Sequence, residues 1–74
     1  MNKIIRGKTI SFQYWTYKGK SSHMKPTAIV GKITYVRSQW HNGLEYPFYF
    51  YAVNKKTGKK EQYFTEFVTN VVPQ

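Results

Sequence analysis

The sequence predicts an all-β fold, and three observations carry the prediction. First, 32 of the 74 residues are Val, Ile, Thr, Tyr, Phe or Trp, against one Leu, two Ala and three Glu. Branched and aromatic side chains suit a pleated, half-buried surface and lose rotamer freedom on a helix. Second, apolar residues recur with a period of two in several segments. Third, Asn42-Gly43 and the Gly58 region are strong turn signals between such segments. A chain of this length makes one domain, residues 1–74. It buries only about 60 to 65% of the surface its unfolded form exposes. With no cysteine there is no disulfide, thiolate nucleophile or Cys-based metal site. Packing must hold the fold, and fourteen aromatic residues are its main source.

Residues 8–17 form the first strand, where Ile10, Phe12 and Tyr14 alternate with Thr9, Ser11, Gln13 and Trp15, so that Ile10 and Phe12 face the core. Residues 18–26 (KGKSSHMKP) are an irregular basic loop, because Gly19, two serines and Pro26 interrupt both periodicities. A long second strand covers 27–39, with Gly31 marking a bulge or bend where a small barrel would curl. Asn42-Gly43 then makes a two-residue type I′ turn, which sets His41 opposite Leu44, Val36 opposite Tyr49 and Tyr35 opposite Phe50. Pro47 falls in the returning strand, so either that end is an edge or regular pairing begins at Phe48. The third strand is 48–53. A three-residue loop at 56–58 sets Tyr51 opposite Tyr63 and Phe50 opposite Phe64 in a fourth strand. In this register Phe48, Phe50, Ala52 and Phe64 share a face with Ile33 and Tyr35. Tyr49, Tyr51 and Tyr63 share the other with Val36. After Phe64 the alternation breaks, giving one helical turn at 65–68 and a short strand at 70–72.

This layout, with a strand, a long loop, three meandering strands, a turn of helix and a final short strand, resembles small SH3-like barrels, including their Tudor, chromo-like and KOW-type variants. The resemblance implies a five-stranded SH3-like β-barrel with one short 3₁₀ turn before the last strand. SH3 domains that take proline-rich peptides carry acidic residues in the long loop. Here that loop is KGKSSHMKP and basic, so binding of that type is not expected. An OB-like barrel needs longer strands and a more definite helix.

Twelve Lys and Arg against three Glu and no Asp leave a formal charge of +9, more than solubility requires. Ten of the twelve are lysines, hydrated point charges that attract a phosphate backbone without reading base edges. The expected function is therefore non-enzymatic binding of DNA or RNA with little sequence specificity. The densest group is Lys55, Lys56, Lys59 and Lys60, joined by Lys18, Lys20 and Lys25 if the two loops lie on one side. Tyr49, Tyr51 and Tyr63 are candidates for stacking on bases, as is Trp40 beside the Asn42-Gly43 turn. The bland alternative has the tyrosines covering the second side of a small barrel and Trp40 packing over Leu44 and Tyr46. Trp15 caps a barrel end or is exposed.

Nothing suggests catalysis. No H-E-x-x-H, G-x-S-x-G or phosphate-loop pattern occurs, and His23, His41, Glu45, Glu61 and Glu66 form no evident metal or acid–base set, so neither cofactor nor metal is expected. The rival function is a basic protein-interaction module that docks on an acidic surface and regulates or inhibits a nucleic-acid-processing enzyme. A homodimer, through the edge near Pro47 or the tyrosine face, is compatible with either role. No segment offers the roughly 20 apolar residues of a membrane span, and the N-terminal residues lead into no signal-type apolar region, so the expected location is the cytoplasm.

Overall fold

A computed structural model of the chain describes residues 3–17, 19, 20 and 22–74. Five strands follow in order: β1 (Thr9–Tyr17), β2 (Met24–His41), β3 (Leu44–Asn54), β4 (Lys60–Phe64) and β5 (Val68–Pro73), with a 3₁₀ turn at Thr65–Phe67 before β5. They form one antiparallel sheet in the order β4-β3-β2-β1-β5. The closed ring of hydrogen-bonded strands expected of a barrel is not formed, because β4 and β5 end the sheet without pairing to each other. Among the described residues no helix is long and apolar enough to cross a membrane.

The 18-residue β2 is the spine. Residues 24–30 pair with β1 alone, Gly31 and Lys32 with both β1 and β3, and the remainder with β3 alone. Gly31 is where the strands crowd: a Cβ there would stand 3.1 Å from the Val53 carbonyl oxygen and 3.2 Å from the Ala52 Cβ. The first turn forms as expected, with Asn42 and Gly43 at φ of 52° and 78° and His41 opposite Leu44.

Although open, the sheet is strongly curled. β1 and β4 lie three strand positions apart, about 14 Å in a flat sheet. Yet the Phe12 ring meets Tyr63 edge-on at 5.1 Å, and Tyr14 meets it at 4.9 Å. The Phe64 N–H donates to the Tyr14 hydroxyl at 3.1 Å, so a side chain joins β4 to β1 where the backbone does not. Inside the curl lie Ile10, Phe12, Ile29, Ile33, Phe50, Ala52 and Tyr63, with Ile4, Tyr14, Val36, Val68 and Val71 packed against them. Trp15 packs rather than protruding, and its Nε1–H donates to Thr69 Oγ1 at 2.8 Å.

Two departures from the expected register decide what faces outward. The β3–β4 loop is one residue longer than predicted. The Asn54 N–H donates to the Lys59 carbonyl at 2.9 Å, and the Asn54 side chain accepts the amides of Lys56 and Thr57 at 2.8 and 3.3 Å. Phe50 therefore lies opposite Tyr63, and Tyr51 opposite Gln62. Since side chains alternate, one residue of slip exchanges the faces of a strand. Tyr63 enters the core at 4% exposure, and Phe64 moves to the outer face beside Tyr49.

The second departure is a pair of bulges, one at Thr34 in β2 and one at Phe48 in β3. Between them Tyr35 pairs with Tyr51, Val36 with Phe50 and Arg37 with Tyr49, so Val36 turns to the core and Tyr35 turns outward, the reverse of the expected assignment. Pro47 sits beside the second bulge, beyond the reach of β4, whose first partner is Tyr49. The Thr65 hydroxyl donates into this bulge, 2.8 Å from the Pro47 carbonyl and 3.0 Å from that of Phe48.

Candidate nucleic-acid interface

The convex face of the β2–β3–β4 region is built from cross-strand rows. One row sets Lys32 beside Val53 and Val53 beside Lys60. The next holds Tyr35, Tyr51 and Gln62, and the one after it Arg37, Tyr49 and Phe64. The three tyrosine rings pack on one another, with centroids 6.0 Å apart for Tyr35 and Tyr51, 5.9 Å for Tyr49 and Tyr51 and 6.5 Å for Tyr35 and Tyr49. Tyr35 is exposed and the other two are half-buried.

The bulge at Thr34 brings this set together. Lys32 and Tyr35 are three residues apart and would point to opposite sides of a regular strand. One extra residue returns both to the outer face. Cations thus stand on both sides of the rings, with Lys32 and Lys60 at one end and Arg37 at the other. No glutamate joins these rows. Glu45 lies opposite Trp40 and Glu61 opposite Ala52, both on the reverse side, and Glu66 is in the 3₁₀ turn.

Of the residues expected from the sequence, Tyr49, Tyr51 and Lys60 are on this face. The loop carrying Lys55, Lys56 and Lys59, all exposed, begins two residues beyond Val53 and continues its edge. Tyr63 is withdrawn from the set by burial, which also raises its hydroxyl pKa above the usual 10.0, with Glu61 adding to the shift. Lys25 lies opposite Thr16, in step with Ile29 and hence on the core side of the sheet. Lys20 belongs to the β1–β2 connection. That connection is separated from the lysine loop by six residues of β2, about 20 Å of strand. The two basic loops therefore do not merge. Lys18 lies outside the described residues.

Trp40 is 71% exposed near the tip of the β2–β3 arm, where it continues the side of Val36 and Ser38 and not that of the tyrosines. It does not pack back over Leu44, which is itself 72% exposed. Sequence reasoning missed Tyr35, Lys32 and Arg37 as members of one set, and Pro47 was the signal that regular pairing would fail nearby.

Among the described residues no three His, Asp or Glu side chains cluster where they could hold a metal ion. Comparison with family models, curated proteins and solved structures returned no match for this chain.

Proposed function

We propose that this protein is a non-enzymatic nucleic-acid-binding module of the cytoplasm that uses its convex face for phosphate contact and base stacking. The observation that carries the reading is a tyrosine cluster bracketed by Lys32, Lys60 and Arg37 on rows free of carboxylates. Aromatic rings supply stacking surface to bases of any identity, and the cations supply sequence-independent attraction to phosphate. The lysine loop at 55–59 extends the positive field from the edge of this face. We further propose that the architecture is an SH3-like barrel left open along one seam. The strand order, the 3₁₀ turn before β5 and the contact of Phe12 with Tyr63 support it.

The test is fluorescence anisotropy with labelled nucleic acid across a salt series. Affinity is expected to fall linearly with salt on logarithmic axes. Replacing Lys32, Arg37 and Lys60 together by Ala should lower the slope by about 2 to 3, since each phosphate contact contributes roughly 0.7 to 0.9. Absent binding at low salt, or a flat salt response, refutes the reading.

Exposure of Trp40 and Leu44 at the arm tip favours a second reading, in which the arm anchors an acidic protein partner. Stoichiometric recovery of an acidic protein from a nuclease-treated pull-down, with no nucleic-acid binding by the pure protein, would select it.

A further inference from the structure

We propose that the ligand of the convex face is a single strand, laid along β3 from Tyr46 on the arm to the row of Lys32 and Lys60. The inference rests on the nucleic-acid reading above and narrows it. Its starting point is the second bulge. Tyr46 and Tyr49 are three residues apart, a spacing that would put them on opposite sides of a regular strand. The extra residue, Phe48, turns both outward, so Tyr46 of the arm joins the face of Tyr49, Tyr51 and Tyr35. Each bulge therefore lengthens the same track, the one at Thr34 by a cation and the one at Phe48 by an aromatic ring.

Tyr46 and Val53 are seven positions apart in β3, one of them taken up by the bulge, so about 20 Å of strand joins them. That length suits the short end of the range of roughly 4 to 16 nucleotides occupied on small single-strand-binding β folds. Tyr46 is 41% exposed, and its hydroxyl donates to Gln39 Oε1 at 3.2 Å, which holds the ring over the arm. Arg37 stands opposite Tyr49, on β2 between Gln39, the partner of Tyr46, and Tyr35, where a backbone crossing the track would meet it.

A duplex hides the faces of its bases within its own stack and would press sugar and phosphate against these rings. Unpaired bases offer the faces that a row of tyrosines can stack on. The excess of lysine also fits a strand held without regard to sequence.

The experiment measures the full chain by anisotropy against short oligothymidylate, oligouridylate and a blunt DNA duplex of the same length, at moderate and low salt. The single strands should bind at least about tenfold tighter than the duplex. Tyr46→Ala should weaken single-strand binding by about tenfold, while Tyr46→Phe, which keeps the stacking ring but loses the hydrogen bond to Gln39, should recover most of that loss. Circular dichroism of Tyr46→Ala confirms that the sheet is intact. Salt-dependent binding that is equal or tighter on the duplex, or single-strand affinity indifferent to Tyr46→Ala, overturns this inference and leaves the nucleic-acid reading standing. No binding to any of the three at low salt overturns both.

Discussion

At the scale of single residues, Tyr63 and Tyr51 show how one position of register separates a core group from an outward-facing one. Tyr63 lies against Phe12, Phe50 and Tyr14. Burial, followed by the charge of Glu61, holds its pKa above the usual 10.0, so on raising the pH the unfolded chain releases this proton before the folded one does. The contribution to stability is full below about pH 10 and declines as pH rises through the folded-state value. Tyr63→Phe keeps the ring in the core and should leave stability at neutral pH within about 1.5 kcal/mol of the parent. In urea titrations it should then lose less stability than the parent between neutrality and about pH 11, because phenylalanine cannot ionise. The identity of the core tyrosine was not legible in the sequence. Tyr and Phe occupy alternate positions in both 48–51 and 63–64, so either phase of pairing yields a plausible pattern, and only the length of the Asn54 loop decides between them.

At the scale of elements, β2 does the most to shape the molecule, and its parts differ in legibility. The Asn42-Gly43 turn and the first four pairs after it could be read directly, because positive φ at two adjacent positions is a requirement few residues meet. The bulges could not, since an extra residue in a strand of alternating apolar and polar groups leaves no compositional mark. Gly31 was legible as a special position but for another reason than the one found, being a point of close approach and not the bulge itself. Gly31→Ala would drive a Cβ against the Val53 carbonyl and the Ala52 methyl, neither of which can rotate away. The expected cost is about 1 to 3 kcal/mol, seen as a lower urea midpoint with an unchanged slope.

At the scale of the whole molecule, the strand composition sufficed to give an all-β chain of five strands with a 3₁₀ turn before the last, and the structure has that order. Closure was not legible, because it depends on how far the short β4 and β5 reach around the curl, a property of three-dimensional twist. An open sheet leaves edges, and each of the three prolines lies on one. Pro26 is in the part of β2 paired only with β1, Pro47 in the part of β3 outside β4, and Pro73 in β5. Each removes an amide donor from a surface that would otherwise invite another strand, which weighs against dimers formed by edge pairing and leaves the sheet faces for contact. The hydroxyl of Tyr14 has a wider meaning in this light. Among the described residues it makes a hydrogen bond from β1 to β4 across the curl, and β4 is only five residues long. Tyr14→Phe should therefore raise amide exchange at Phe64 well above any change in the amides of β2, a comparison that hydrogen-exchange spectroscopy makes directly. The molecule is built like a clasp: the short strand that carries Lys60 and follows the lysine loop is held across the curl by the Tyr14 hydroxyl, so on the proposed reading a polyanion gripping that corner would also hold the clasp closed.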